Sequence, residues 1–277
     1  MKSPRIAFLG GGNMARALIG GLVARGIAAA QMSVGEPAAP ARELLQRDFH
    51  VRVSADNRAA IDHCELVIVA VKPQEAGNVL RPLAPQLRDG RTVLVSVAAG
   101  IPIASLSAWV GPAVPIIRTM PNRPALIGAG ITALYAAADV TAEQRLLAEQ
   151  VMGAAGETVW VGRESDLDVV TALSGSGPAY FFMFAELMMQ AAIAQGLEPA
   201  AARRLAVGTL HGAGALAHSS DGDLARLRRE VTSKGGTTEA ALAAFATADL
   251  AGIVAKAVQA ATQRSRELAA LFGDAAQ

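Results

Sequence analysis

Short apolar runs alternate with helical patterns through the first part of the chain. These runs predict five strands, over Arg5–Leu9, Met32–Val34, Leu66–Val71, Thr92–Val97 and Val114–Ile117. The third and fourth runs are almost wholly apolar, which is typical of parallel strands that are covered on both faces. Two weaker patterns, Ile131–Tyr135 and Thr158–Val161, are expected to complete the sheet around a helix over Ala142–Met152.

Helical patterns lie between these strands and then continue alone to the C-terminus. The first group covers Asn13–Arg25, Ala41–Arg47, Gln74–Leu87 and Ile103–Trp109. Beyond about Gly162 only Ala-rich helical patterns remain, over Asp168–Ser174, Ala179–Gln195, Pro199–His218, Leu224–Arg229, Thr238–Ala246 and Gly252–Leu271. Because Ala favours helices and lets them approach closely, the second group predicts a bundle. We therefore expect an α/β fold, with a Rossmann-type parallel-sheet domain over residues 1–162 and an all-helical domain over residues 163–277.

Composition excludes several classes of function. The 277 residues are 52% hydrophobic and 18% charged, which provides ample apolar surface for a large core. With 25 Lys and Arg against 24 Asp and Glu, and 4% aromatic residues, the chain offers neither a basic field nor a stacking surface for nucleic acid. The lone Cys64 favours a reducing compartment, and no apolar run has the length of a membrane span. We expect a cytoplasmic protein that binds neither nucleic acid nor membrane.

The strongest local motif follows the first predicted strand. Residues 10–15 read Gly-Gly-Gly-Asn-Met-Ala, a G-x-G-x-x-A pattern between a strand and a helix. Gly10 permits a tight turn, Gly12 lets a pyrophosphate approach the backbone, and Ala15 lets the helix lie close to the strand. Because the free N–H groups and the dipole at a helix start favour an anion, this motif predicts a dinucleotide site.

Glu36 stands at the end of the second predicted strand. A carboxylate there can accept hydrogen bonds from the ribose hydroxyl groups of the adenosine, and it repels a 2′-phosphate. The site is then expected to favour NADH over NADPH, although Arg42 nearby could weaken the preference. The alternative is an ordinary solvated acid at a strand end.

Five further segments carry a family resemblance. Three follow predicted strands, at residues 70–73 (Ala-Val-Lys-Pro), 98–100 (Ala-Ala-Gly) and 120–125 (Met-Pro-Asn-Arg-Pro-Ala). Two lie in the helical half, at residues 174–180 (Ser-Gly-Ser-Gly-Pro-Ala-Tyr) and 231–238 (Val-Thr-Ser-Lys-Gly-Gly-Thr-Thr). With these motifs in this order, the chain resembles the pyrroline-5-carboxylate reductase family over essentially its whole length. The resemblance implies an oxidoreductase that reduces the cyclic imine 1-pyrroline-5-carboxylate to L-proline with NAD(P)H, the last step of proline biosynthesis, and a helical domain that forms homodimers and often higher oligomers.

The resemblance also assigns residues to the cofactor, NADPH or NADH. The loop from Leu9 to Met14 is expected to hold the pyrophosphate, Glu36 and Asn57 to contact the adenosine, and two strand-end segments to line the nicotinamide half. The full set is Leu9, Gly10, Gly11, Gly12, Asn13, Met14, Glu36, Asn57, Ala70, Val71, Lys72, Pro73, Ala98, Ala99 and Gly100. Lys72 could point at a cofactor phosphate or ribose, or be a surface lysine.

The expected substrate site lies mainly in the helical half. Gly235 and Gly236 free the backbone before the helix that starts at Thr238, and N–H groups there suit a carboxylate. Helix capping by the threonines is the alternative. By resemblance, Thr238 is the catalytic residue that contacts the imine nitrogen, and Asp221 stands where the family usually has the longer Glu. The expected substrate-binding residues are Asn122, Asp221, Gly235, Gly236, Thr237 and Thr238.

Two positions depart from the family pattern. Arg123 stands where the family usually has Thr, and Lys234 where it usually has Pro. Their charges could assist carboxylate binding or indicate a different imine. No metal-ligand spacing occurs, and the four His residues are interpreted as structural or surface residues. A protonated imine is already electrophilic, so that positioning can replace a strong general acid.

Two other functions remain open at this point. One is a related reductase of the same architecture that acts on another imine or on a 3-hydroxy acid. A hydroxy-acid enzyme needs a proton relay, usually Lys or His, where this chain has Ser-Gly-Ser-Gly-Pro. The other is a non-catalytic NAD-binding scaffold, which need not retain residues 233–238.

Overall fold

The computed structural model describes residues 4–88, 92–220 and 222–274. They form two compact units. The first contains the chain up to Ser176 together with the segment from Ala261 onward, and the second contains Gly177–Ala260.

An eight-stranded sheet forms the centre of the first unit, in the order β3-β2-β1-β4-β5-β6-β7-β8. Its strands are β1 (Ile6–Leu9), β2 (Met32–Gly35), β3 (Arg52–Ser54), β4 (Leu66–Val69), β5 (Val93–Ser96), β6 (Ile116–Met120), β7 (Gly130–Ala136) and β8 (Gly156–Trp160). The first six strands are parallel, with Leu9 level with Gly35 and Val69 at their carboxyl ends. The predicted α/β class with a Rossmann-type sheet is confirmed.

Two strands differ from the sequence expectation. β3 was not predicted, since its three residues are exposed or half-buried at the sheet edge and lack an apolar pattern. β7 runs antiparallel to β6, with Arg118 opposite Tyr135. Only residues 121–129 separate β6 from β7, which is too short for the crossover that a parallel pair requires. Helix α7 then provides such a crossover, and β8 pairs with β7 in parallel.

Short helices connect these strands. They are α1 (Asn13–Ala24), α2 (Ala39–Phe49), α3 (Asn57–Ala60), α4 (Pro73–Leu80), α5 (Ala84–Leu87), α6 (Ile103–Val110), α7 (Ala142–Met152) and α8 (Asp166–Val170). The single helix expected over residues 74–87 is divided by a 3₁₀ turn, Arg81–Leu83. Pro82 and Pro85 explain the division, because neither can donate an N–H to the helix. A π-helical turn, Thr171–Gly175, follows α8.

Apolar side chains fill both faces of the sheet. Along β1, Ile6 and Phe8 belong to one buried cluster, whereas Ala7 and Leu9 belong to another. This alternation follows from the strand geometry, which points successive side chains to opposite faces. The carboxyl ends of the parallel strands are thereby held in fixed register at one edge of the sheet, where open α/β sheets bind ligands.

The second unit is entirely helical. It contains α9 (Gly177–Ala194), α10 (Pro199–Ser219), α11 (Leu224–Glu230), α12 (Thr237–Thr247) and the first part of α13 (Leu250–Asp274). Among its described residues only Gly177 and Ala202 are buried. In the described parts of the chain no single helix is both long and apolar enough to cross a membrane, although the bent pair Thr237–Thr247 and Leu250–Phe272 meets that criterion on length and composition alone.

Candidate functional site: a glycine loop and a glycine–threonine turn

The glycine loop leaves β1 by a backbone turn that requires glycine. Gly10 has a φ of +95°, and its N–H donates to the carbonyl oxygen of Gly35 at 2.8 Å. A Cβ at Gly10 would lie 2.8 Å from the carbonyl oxygen of Ala70 and 2.9 Å from Cγ1 of Val71. The structure therefore brings two of the predicted cofactor segments, residues 9–14 and 70–73, into contact at the end of the sheet.

Open space lies beside Gly12. A Cβ at this residue would have no other heavy atom within 4 Å, in contrast to Gly10. Helix α1 begins at the next residue, Asn13, with Gly12 in the N-cap position. Since the first N–H groups of a helix lack acceptors within it, they are available here to an anion. This cradle fits the pyrophosphate of a dinucleotide.

Glu36 lies against the same loop. One carboxylate oxygen accepts a hydrogen bond from the N–H of Gly11 at 2.9 Å, and the other accepts from the N–H of Ala38, also at 2.9 Å. Arg42 donates to the carbonyl oxygens of Glu36 and Pro37 at 2.8 and 2.7 Å, so its guanidinium lies at this turn. The carboxylate is thus fixed beside the glycine loop.

Asn57 is the first residue of α3, and its side chain lies against Gly35. A side chain at position 35 would overlap the Asn57 amide, which explains why a glycine ends β2. Asn57 and Glu36 consequently flank the same strand end.

The other two strand-end segments follow β4 and β5. Lys72 is the exposed N-cap of α4, and Pro73 is the first residue of that helix. After β5, Ala98 and Gly100 are buried and Ala99 is exposed. Gly100 has a φ of +76°, and Phe272 near the end of α13 would lie 3.4 Å from a Cβ there. Because β4 lies between β1 and β5 in the sheet, residues 98–100 follow the second strand from the glycine loop.

Asn122 follows β6 and is 8% exposed. Its Oδ1 accepts from the N–H of Ile131 at 3.0 Å, and its Nδ2 donates to the carbonyl oxygen of Ser174 at 3.2 Å. Both ends of the amide are therefore bonded to the backbone. Arg123, the next residue, is exposed at the start of a 3₁₀ turn that ends at Ile127.

In the second unit, the predicted glycine–threonine segment forms the start of α12. The helix begins at Thr237, one residue before the expected start, and Gly236 is the N-cap without a side-chain capping bond. Gly235 has a φ of +72°, which favours glycine. Thr238 is half-buried, and Lys234 is exposed. Asp221 lies outside the described residues.

Hydrogen bonds within this turn restrict where an anion can bind. The N–H of Gly235 donates to a carboxylate oxygen of Glu239 at 2.6 Å, and the N–H of Gly236 donates to the carbonyl oxygen of Ser233 at 3.0 Å. The N–H groups of Thr237 and Thr238, in the first turn of the helix, lack intrahelical acceptors. Glu239 was not among the predicted residues, although a Glu three positions after an N-cap is the spacing of a capping box.

The remaining reactive groups do not form a second centre in the described parts of the chain. Cys64 is buried, and desolvation raises the pKa of its thiol, so that the thiol stays protonated at neutral pH. No cluster of three or more His, Cys, Asp or Glu side chains in residues 4–88, 92–220 and 222–274 could hold a metal ion.

Comparison with known proteins gives matches along the whole chain. Residues 164–268 match a family model described as pyrroline-5-carboxylate reductase dimerisation, and residues 5–100 match one described as NADP oxidoreductase, coenzyme F420-dependent. A pyrroline-5-carboxylate reductase from Pseudomonas aeruginosa is 45% identical over 273 residues, which are 99% of this chain and 100% of that protein.

Solved structures agree with these matches. A pyrroline-5-carboxylate reductase from Coxiella burnetii superposes with a TM-score of 0.93 at 35% identity, covering 96% of this chain and 99% of that one. The Plasmodium falciparum enzyme, solved with NADP bound, superposes with a TM-score of 0.83 at 27% identity, covering 97% of this chain and 99% of that one.

Proposed function

The chain belongs to the pyrroline-5-carboxylate reductase family, and from this premise we propose that it reduces 1-pyrroline-5-carboxylate to L-proline with NAD(P)H. One observation carries the proposal: the chain agrees with relatives of that name from end to end, so that it retains both the glycine loop and the glycine–threonine turn. A scaffold that only bound the nucleotide would need the first of these and not the second.

The reaction requires few acid–base groups from the protein. When a reduced nicotinamide cofactor is bound, the chemistry that it supplies is hydride donation to the imine carbon. The protonated imine accepts the hydride pair at carbon and retains its proton on nitrogen, so that no bond to the protein is formed or broken. The chain's task is to hold the two rings in register, and orientation of this kind supplies several kcal/mol of rate acceleration.

We propose that the substrate carboxylate is bound at the start of α12. The N–H groups of Gly235 and Gly236 are bonded within the turn. Those of Thr237 and Thr238 are therefore the ones proposed to bind the carboxylate. The Thr238 hydroxyl is assigned to the imine nitrogen. Lys234 adds a positive charge beside the carboxylate. Asp221 completes the proposed contacts to the substrate, and Asn122, whose amide is bonded to the backbone at each end, is proposed to line the site.

The cofactor is proposed to bind along the carboxyl edge of the sheet. Its pyrophosphate would lie at Gly12, its adenosine at Glu36 and Asn57, and its nicotinamide half along residues 70–73 and 98–100. Support comes from the open space at Gly12 and from the carboxylate fixed beside the loop. We further propose NADH as the preferred form, because the Glu36 carboxylate repels a 2′-phosphate.

The proposed assembly is a homodimer, or a higher oligomer built from dimers, of a cytoplasmic enzyme. Support for association comes from the second unit, where only Gly177 and Ala202 are buried among the described residues. The reduced, buried thiol of Cys64 supports a reducing compartment. A formal charge of +1 gives no support for binding to nucleic acid.

The direct test follows NAD(P)H absorbance with pyrroline-5-carboxylate as substrate and a larger-ring cyclic imine as the comparison. We expect oxidation of the cofactor with the five-membered ring and the appearance of proline. Oxidation with the larger ring alone would assign the chain to another imine. Absence of oxidation with either imine, in a protein that binds NADH, would favour the scaffold.

Thr238→Ala tests the assigned catalytic contact. Loss of a hydrogen bond to a charged group costs about 1.5–3 kcal/mol, so we expect turnover to fall about 10- to 100-fold with unchanged NADH affinity. The matched control is Thr247→Ala at the last residue of the same helix, whose hydroxyl donates to the carbonyl oxygen of Ala243 at 3.0 Å. Equal rates in the two variants would remove Thr238 from the mechanism.

A further inference from the structure

Asn122 is buried at the carboxyl end of β6, and each end of its amide makes a hydrogen bond to the backbone. Its Oδ1 accepts from Ile131 N–H at 3.0 Å, and its Nδ2 donates to the Ser174 carbonyl oxygen at 3.2 Å. The amide therefore connects the end of β6 to two other segments, the start of β7 and the π-helical turn Thr171–Gly175. A side chain used in this way acts on its backbone partners rather than on a bound molecule.

The carbonyl oxygen of Ser174 can take this external donor for a reason that is visible in the sequence. In an α-helix the carbonyl oxygen of Ser174 would accept from the N–H of residue 178, but residue 178 is proline and has no N–H. The turn closes instead with the N–H of Ser176 donating to the carbonyl oxygen of Thr171 at 2.8 Å, the i to i+5 pattern. Asn122 supplies a donor to the carbonyl oxygen that the proline leaves without its helical partner.

A second contact fixes the same turn on the same strand. A Cβ at Gly175 would lie 2.5 Å from Cε of Met120, the last residue of β6. Gly175 thus lies against the flexible end of the Met120 side chain. The polar contact at Asn122 and the apolar contact at Met120 together set the position of residues 171–176 at this edge of the sheet.

We propose that Asn122 is a positioning residue, which holds the π-helical turn against the carboxyl end of β6 and so fixes the wall of the site beside the nicotinamide segment. The proposal rests on the proposed reductase function and replaces direct contact between Asn122 and the substrate. Because the turn contacts Met120 at the end of β6, and β6 pairs with β5, which precedes residues 98–100, we expect movement of the turn to displace the proposed nicotinamide segment. Misplacement by about 1 Å can reduce turnover about 100-fold.

Asn122→Asp tests the donor specifically. A neutral carboxyl group can accept from Ile131 N–H through its carbonyl oxygen and donate its O–H to Ser174, as the amide does. An ionised carboxylate has no proton to donate and places its charge against the Ser174 carbonyl oxygen. Burial raises the pKa of an introduced carboxyl group, so that the neutral form is accessible at mildly acidic pH.

We expect this variant to have a kcat about 10- to 100-fold below wild type near pH 8, and to approach wild type as the pH falls toward about 5.5. Its NADH affinity should stay within about twofold of wild type at both pH values. Asn122→Ala should lose kcat at every pH, because it cannot donate in any protonation state. A ratio of variant to wild-type kcat that does not change with pH would overturn the proposal.

Thr92→Val is the matched control. Its hydroxyl donates to the carbonyl oxygen of Cys64 at 2.7 Å, at the opposite end of the sheet. This variant loses one bond from a side chain to the backbone and should keep its kcat. An equal loss of kcat in Thr92→Val would show that Asn122 contributes only general stability.

Hydrogen–deuterium exchange provides a readout that does not depend on turnover. The Ser176 amide should exchange faster than in wild type in Asn122→Ala. In Thr92→Val its exchange rate should be unchanged. If wild type reduces no imine, the proposed function fails, and exchange at residues 171–176 still decides the positioning role. Unchanged exchange in Asn122→Ala would contradict that role even in an active enzyme.

Discussion

At the scale of single residues, the candidate site presents backbone N–H groups more than charged side chains. Gly12 leaves room beside the N–H groups at the start of α1. Thr237 and Thr238 contribute the N–H groups at the start of α12. Glu36 is the charged side chain held directly on the glycine loop, by the N–H of Gly11. The proposed binding of anions at these two helix starts requires little positive charge, which agrees with a formal charge of +1.

Gly12→Ala separates binding from folding. Gly12 has a φ of −71°, which Ala adopts without strain, and no heavy atom lies within 4 Å of the added Cβ. We therefore expect a thermal midpoint close to wild type, and NADH affinity that is weaker by about tenfold or more because the methyl group occupies the pyrophosphate space. Dye-monitored unfolding and NADH fluorescence titration measure the two quantities.

The control for this prediction is Gly162→Ala, another glycine with open space around its Cβ position. Gly10→Ala provides the opposite case, since its Cβ would meet Ala70 and Val71 at a positive φ, and both stability and affinity should fall. NADH affinity preserved in Gly12→Ala would place the pyrophosphate elsewhere.

Glu36→Gln tests cofactor preference. Removal of the charge ends repulsion of a 2′-phosphate, while the remaining side-chain oxygen can still accept from Gly11 N–H. The ratio of kcat/KM for NADPH to that for NADH should rise about tenfold, or roughly 1.4 kcal/mol. Glu43→Gln, at an exposed position of α2, should leave the ratio unchanged. A wild-type enzyme that strongly prefers NADPH would contradict the underlying assignment.

At the scale of elements, the sequence predicted the strands that carry the site and missed β3 and the direction of β7. β1, β4 and β5 are continuous apolar runs, and their burial on both faces is readable from composition alone. β3 has no such pattern, because an edge strand with exposed residues needs only backbone partners. The antiparallel direction of β7 was available from the short connection before it, but apolar patterns do not encode direction.

The site residues divide in the same way. The glycine motif and the turn before α12 were recognised from their sequences, and a positive φ at Gly10 and Gly235 agrees with those interpretations. The bonds of Asn122 were not predicted, because side-chain partners distant in sequence cannot be read from a local pattern. The bond of Glu239 to Gly235 spans four residues and was overlooked, although its spacing is local. Phe272 belongs to this second group, since nothing near residue 272 points to Gly100.

Phe272→Ala tests whether the end of α13 supports the loop after β5. The ring packs on the cluster beneath β4 and β5 and lies beside Gly100. Since the ring is only half-buried, we expect a loss of about 1–3 kcal/mol in the free energy of unfolding, below the range for a fully buried Phe. Leu271→Ala, at a position that is 59% exposed, is the matched control and should lose much less. Equal denaturation midpoints for the two variants would contradict this prediction.

At the scale of the whole molecule, the two units differ in how they bury apolar surface. The first has two buried clusters on its sheet. The second has only Gly177 and Ala202 buried among its described residues, and α9 exposes Phe181, Phe182, Met183 and Leu187. A groove of about 910 Å³, lined partly by Leu242, Phe245 and Val254, lies in the same unit. Such a surface is typical of an obligate interface rather than of a free monomer.

Phe182→Asp tests the consequence for assembly. Phe182 is 59% exposed in the single chain, and a carboxylate buried in an interface without a partner costs several kcal/mol. Size-exclusion chromatography with light scattering should give about twice 28.4 kDa, or a multiple of that dimer mass, for wild type and a shift toward 28.4 kDa for the variant. The variant should also unfold at a lower temperature, because the second unit has little core of its own.

The control places the same charge on the first unit, at Leu146 of α7, which is 55% exposed. Leu146→Asp should keep the wild-type mass and nearly the wild-type thermal midpoint, since exposed substitutions outside an interface change stability by about 0.5 kcal/mol or less. If Phe182→Asp kept the wild-type mass while Leu146→Asp dissociated, the interface would lie on the sheet unit. A monomeric mass of about 28.4 kDa for wild type itself would instead show that the helical unit is stable without a partner.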